Sequence, residues 1–217
     1  GLLACAGLAG GCGGGGEETV DSGSQVLITR GVRENKDIYI LSPTGEVLQQ
    51  LTSDDHIDEA PRWSPDGTRI AFMRSTYQWN LFHTQAIHVM NTDGSNLQNL
   101  TPGIHDDPDI PYQPTWVNSD TLVYRLGWVI PSGLAKHTIC TGEVTALTFP
   151  TAAGSYLDEF PMVSPSGTKL AYIHSRLGGD MYDSELYLSN ADGLGARAVV
   201  QYVASDAPAW SPDGKKL

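Results

Sequence analysis

The chain is poor in cysteine, in basic residues and in long apolar runs, and each shortage excludes something. Its 217 residues include three cysteines, Cys5, Cys12 and Cys140. The first two lie in an N-terminal leader, so Cys140 stands alone and no disulfide framework supports the fold. A free thiol in a strand is expected to act as a small buried hydrophobe. Lys and Arg total 13 against 25 Asp and Glu, for a net charge of −12. That balance repels a phosphate backbone and no basic stripe offsets it, so nucleic acid is not an expected partner. The apolar run in the leader is too short to span a bilayer. No long segment carries a 3.6-residue period, which excludes a helical domain. The chain has no G-x-S-x-G elbow, no P-loop and no H-E-x-x-H, so neither catalysis nor a cofactor is expected.

What the chain has instead is 24 glycines, 13 prolines and a repeated phrase. "APRWSPDGTRIAF" fills 60–72, "FPMVSPSGTKLAY" fills 160–172 and "APAWSPDGKKL" fills 207–217. Ser64-Pro65-Asp66-Gly67 has the composition of a type I turn, with proline presetting φ at its second position and glycine at its fourth. Thr68 to Phe72 follow with strand composition. The phrase therefore predicts a hairpin. Aligned on the residue before the turn, Trp63, Trp116, Val163 and Trp210 are 53, 47 and 47 residues apart. A second phrase interleaves: "DIYILSPTGEVLQQLT" (37–52), "AIHVMNTDGSNLQNLT" (86–101) and "ELYLSNADGLGARAVV" (185–200), with "HTICTGEVTALT" (137–148) as a shorter version. Each unit then holds four strands, A to D, the pattern of propeller blades. Ile70 and Phe72 fall on one face of strand B and Ala71 on the other, as suits a sheet covered on both sides.

At these residues the chain resembles the TolB-like, WD-like repeat β-propellers. "WSPDGTRIAF" followed by "IHVMNTDGSNLQNLT" carries the resemblance over about residues 24–217. The family pattern also places Asp five and Pro two residues before the tryptophan. Asp58/Pro61 and Asp158/Pro161 match it, whereas Pro114 and Pro208 match only in the proline. The third unit reads "WVNSDTLVY" and lacks the SPDG turn. The expected fold is all-β, with four-stranded antiparallel blades at about 24–52, 58–101, 112–148, 158–202 and 206–217. Three blades are complete and two partial, as in a fragment of a six-bladed ring.

Residues 1–12 resemble the end of a bacterial lipoprotein signal peptide, and 13–23 form a Gly-rich tether. Cys12 is the favoured acylated residue and Cys5 the alternative. An ordinary secretory signal is the competing reading. Either reading implies export, to the periplasm, the outer membrane or the cell surface, with lipid as the only membrane anchor.

Antiparallel order puts the A–B and C–D turns at one end of each blade and the B–C and D–A connections at the other. The first set is short and the second long, and long loops gathered at one end form a binding surface. Tyr77, Trp79, Phe82, Trp128 and Tyr182 are its candidate aromatic anchors. Asp58, Glu59, Asp158, Glu159 and Asp206 are its candidate acidic contacts. The Asp of each Asp-Glu pair also has a structural reading, in which it accepts hydrogen bonds from backbone amides at the strand start. His56 and His105 sit among acids in matching D–A links, where a divalent cation competes with simple solvation as the explanation. The resemblance implies a non-catalytic envelope protein that binds proteins or peptides. Two alternatives are the N-terminal propeller of a prolyl-oligopeptidase-like serine peptidase and, more weakly, a metal-dependent sugar lyase.

Overall fold

A computed structural model describes residues 24–32, 35–76, 84–101, 113–126, 133–148, 156–176, 184–203 and 207–217. Fifteen strands follow one another with no helix among the described residues. Blade I comprises β1 (Val26–Val32), β2 (Asn35–Leu41) and β3 (Val47–Gln50). Blade II comprises β4 (His56–Trp63), β5 (Arg69–Thr76), β6 (Thr84–Asn91) and β7 (Gln98–Asn99). Blade III runs through β8 (Thr115–Asn118), β9 (Thr121–Leu126), β10 (Gly133–Thr138) and β11 (Glu143–Ala146). Blade IV runs through β12 (Tyr156–Val163), β13 (Lys169–Arg176), β14 (Ser184–Asn190) and β15 (Arg197–Gln201). Within every blade, successive strands pair antiparallel. Blades I and II are additionally joined by one parallel bridge, Lys36 to Ile57. Strand β3 pairs with β2 only from Tyr39 to Leu41, so the edge of β2 at Lys36 is free to take the start of β4.

The repeated turn forms as its composition requires. Gly67, Gly167 and Gly214 each donate an amide to the serine three residues back, at 2.9, 2.8 and 2.8 Å. The serine hydroxyl then accepts the amide that opens strand B, from Arg69 at 2.9 Å and Lys169 at 3.1 Å. Gly167 has φ 72°, and a Cβ added to it would stand 2.4 Å from the carbonyl of Val117 in the preceding blade. A side chain there would meet both the wrong dihedral and another backbone. In blade III the turn is one residue tighter: Trp116 pairs with Leu122, whereas Trp63 pairs with Ile70. Asn118 serves it by accepting the Asp120 amide at 2.8 Å.

The alternation of strand B divides the core into one layer per blade junction. Ile70 and Phe72 join Ile38 and Met90 between blades I and II. Ala71 and Met73 join Trp116, Leu122 and Tyr124 between blades II and III. Val123 and Leu134 join Val163, Leu170 and Tyr172 between blades III and IV. Ile70, Ala71 and Phe72 are all fully buried, so both faces of the strand are covered. Hydrogen bonds run between the blades as well. Trp116 donates its indole N–H to the Arg62 carbonyl at 3.1 Å, and Trp210 does the same to Met162 at 3.0 Å. Where Val163 replaces tryptophan, its backbone N–H bonds the Thr115 hydroxyl at 3.2 Å instead. One expectation is corrected. Cys140 is exposed, not buried, because β10 ends at Thr138 and the thiol lies in the turn that follows. The neighbouring Asp120 carboxylate pushes its pKa up.

Candidate functional site

Strands A and B of blades II and IV meet the long connections at one end, and there each builds a polar device of the same plan. The register between β4 and β5 shifts between Glu59 and Arg62, and that between β12 and β13 shifts between Glu159 and Met162. The extra residues, Ala60 and Phe160, have φ 51° and 53°. These are bulges with a non-glycine residue in the left-handed region, a conformation the surrounding structure must hold in place. The Asp-Glu pair comes immediately before each bulge.

The aspartates turn inward to the strand-B residue opposite them. Asp58 is fully buried and binds Arg74 with two bonds of 2.7 Å, Nε to Oδ1 and Nη2 to Oδ2. Asp158, also buried, bonds His174 Nδ1 at 2.6 Å. This corrects the expectation that these aspartates accept backbone amides: their partners are side chains placed by register. Arg74 also reaches Asp54 at 3.0 Å and lies over the Phe72 ring. Burial alone would weaken its hold on the proton, but the bonds and charge of Asp58 and Asp54 outweigh it and raise its pKa. Asp54 is likewise pushed up by burial and pulled down further by His56 and Arg74, for a net lowering.

The glutamates turn to the preceding blade. Glu59 pairs with Lys36 of blade I. Glu159 accepts the Ser175 hydroxyl at 3.0 Å and faces Arg125 of blade III at 3.7 Å. The Asp of each pair therefore ties strand A to its own blade, and the Glu ties it to the blade before. His174 is further sandwiched by Tyr156 and Tyr187, with ring centroids at 4.7 and 5.0 Å.

Of the residues singled out from sequence, the structure brings Asp58, Glu59, Asp158 and Glu159 to this end. Tyr77, Trp79, Phe82, Trp128, Tyr182 and Asp206 lie outside the described residues, as do Cys5, Cys12 and His105. Sequence reading missed Lys36, Arg74, Arg125 and His174. A usable signal was present: each apolar run of strand B ends on a basic or histidine side chain, in "RIAFMR", "TLVYR" and "KLAYIH". His56 pairs with Asp54 at 2.8 Å, and among the described residues no group of three or more His, Cys, Asp or Glu side chains is arranged to hold a metal.

Two other histidines, half-buried His88 and buried His137, are drawn into the packing. His88 stacks on Phe72 at 5.7 Å and His137 meets the Tyr124 hydroxyl at 3.3 Å. Burial pulls both below the ordinary value of 6.5. A depressed folded value means that the unfolded chain binds more protons once the pH drops under 6.5, so stability is full above that value and declines below it. Urea midpoints are expected to fall between about pH 7 and pH 5. The double variant His88→Gln/His137→Gln should flatten that slope, and an unchanged slope would assign it elsewhere.

Small antiparallel sheets stacked face to face, with one apolar layer per junction and tryptophan stitches at two of the joints, define a repeat β-propeller. The chain belongs to the TolB β-propeller domain family, whose pattern matches residues 20–212. A TolB homolog protein of Chlorobium luteolum is 25% identical over 165 residues, covering 72% of this chain and 33% of that one. The solved TolB of Acinetobacter baumannii superposes with a TM-score of 0.68 at 18% identity, covering 88% of this chain and 44% of the other. A solved prolyl endopeptidase superposes at 0.57 and 16% identity, covering 83% of this chain and 28% of that one. The chain thus spans a third of the curated relative and under half of the solved TolB.

Proposed function

We propose that this chain is part of a non-catalytic exported propeller that binds protein or peptide partners in the cell envelope through its long-connection end. The observation that carries the reading is the contrast between the two ends. One is closed by short turns whose polar groups bond each other. At the other, segments 77–83 and 177–183 leave strands held by the Asp58–Arg74 and Asp158–His174 pairs, and segment 127–132 leaves the strand whose Arg125 faces Glu159. A rigid frame under long loops is how binding surfaces are commonly built. Asp58 is buried and acts as frame, while the side chains of Asp54 and Glu59, 46% and 33% exposed, are open to a basic segment. Tyr77, Trp79, Phe82, Trp128 and Tyr182 supply the apolar anchors, with Asp206 and the outer acids around them. Cys12 is the proposed point of lipid attachment, with Cys5 as alternative.

The likeness to a prolyl endopeptidase supports a second reading, in which the propeller precedes a catalytic domain. The same experiment bears on both. Biotinylated chain is incubated with envelope extract and captured proteins are quantified, for the parent and for Trp79→Ala/Trp128→Ala. Capture is expected to fall at least about tenfold, since aromatic anchors each contribute about 2 kcal/mol or more. Unchanged far-UV circular dichroism must accompany the loss. Misfolding of both single variants would make the tryptophans core residues and remove the proposed interface.

A further inference from the structure

At the opposite, tight-turn end, the junction between blades III and IV differs from that between blades II and III. At the II–III junction Arg69 reaches across to the Ser119 carbonyl and Asp120, and its guanidinium lies 5.9 Å from the Trp116 ring centroid. The register places Thr121 at the position of Arg69 and Val163 at that of Trp116. Both large side chains are thus replaced by small ones, and a groove of about 400 Å³ opens there. That is within the range of small-molecule sites, about 300–1,000 Å³.

Close backbone approaches between blades III and IV flank the groove. Gly167 of blade IV abuts the Val117 carbonyl, and a Cβ on Gly193 would stand 2.7 Å from the Leu147 carbonyl. Its blade III wall carries Thr121, Lys136 and Thr138, and its blade IV wall carries Asn190 and Asp192. Lys136 stands where blade II has the buried Val89, so a charge has entered an apolar position. Among the described residues, the side chains of Lys136, Thr121 and Thr138 make no hydrogen bond or ion pair within the chain. On the facing wall, Asn190 Oδ1 is taken by Lys169 at 2.8 Å, which leaves its amide to donate. Asp192 spends one oxygen on the Leu194 amide at 2.9 Å and keeps the other.

We propose that this groove binds a small zwitterion of the amino-acid or short-peptide class. The carboxylate sits against Lys136 between the hydroxyls of Thr121 and Thr138, and the ammonium faces Asp192. A charged donor matched to a carboxylate contributes more than a neutral pair. A simple anion is disfavoured by Asp192 and by the chain's charge of −12. The site is separate from the long-connection end and does not depend on what binds there.

The probe is the dipeptide Ala-Ala, titrated into the 217-residue chain and followed by amide chemical shifts. Saturable binding at about millimolar affinity is expected, with the largest shifts at Thr121, Lys136, Thr138 and Asn190. Lys136→Gln should weaken it about tenfold or more. Thr121→Arg, which restores the blade II side chain, should abolish it with no loss of thermal stability. Ala-Ala blocked at both ends should not bind. Absence of saturable binding, equal binding by acetate, or undiminished binding by the Lys136→Gln chain would each overturn the proposal.

Discussion

Replacing Asp58 by Ala is expected to lower the unfolding free energy by about 3–5 kcal/mol, the usual cost of stripping one partner from a buried ion pair. The carboxylate is fully buried and holds two donors of Arg74 at 2.7 Å. Without it, a guanidinium that is 8% exposed keeps only Asp54, whose own side chain is 46% exposed. That remaining partner places the loss toward the lower end of the range. The double variant Asp58→Leu/Arg74→Leu should recover much of it, because the penalty comes from the uncompensated charge and not from the missing attraction. Equilibrium urea unfolding of parent, single and double variants makes the comparison. A single-variant loss under about 1 kcal/mol would mean that Arg74 swings out to water, and the frame assigned to the long-connection end would be soft.

Trp116→Ala should cost a similar amount, about 3–5 kcal/mol, for deletion of a nearly buried indole. The residue is 7% exposed and packs in the layer between blades II and III. Its loss also frees the Arg62 carbonyl and removes the surface over which Arg69 lies. Because the core layers among the described residues each join adjacent blades, the damage should be directional. Hydrogen exchange should quicken at the facing strands of blades II and III and change little in blade IV. Uniform loss of protection across all four blades would show instead that they unfold as one cooperative unit.

The blade pattern was legible because two local signals coincide. Proline and glycine at set places in Ser-Pro-Asp-Gly dictate the turn, and strand alternation dictates which residues face which neighbour. The burial of Ile70, Ala71 and Phe72 together follows from that alternation once both faces are covered. The Asp-Glu pairs were recognised as special from their place in the repeat, but their partners were not. Arg74 and His174 are 16 residues from Asp58 and Asp158, and only hairpin register brings them opposite. Lys36 and Arg125 come from other blades altogether. Cys140 was misplaced for a related reason: a shift of two residues at the end of β10 moves a side chain from core to solvent.

The repeat, the hairpin turns, the strand faces and the family are local information, each resting on short phrases of neighbouring residues. Which charges are spent on holding blades together, and which are left for a ligand, follows from the packing of the blades. The same packing set a polar groove at the junction where Thr121 and Val163 stand, while their counterparts Arg69 and Trp116 meet across the junction before it. The reason is geometric: ion pairs and cavities depend on distances of a few ångströms between segments whose separation along the chain does not encode them.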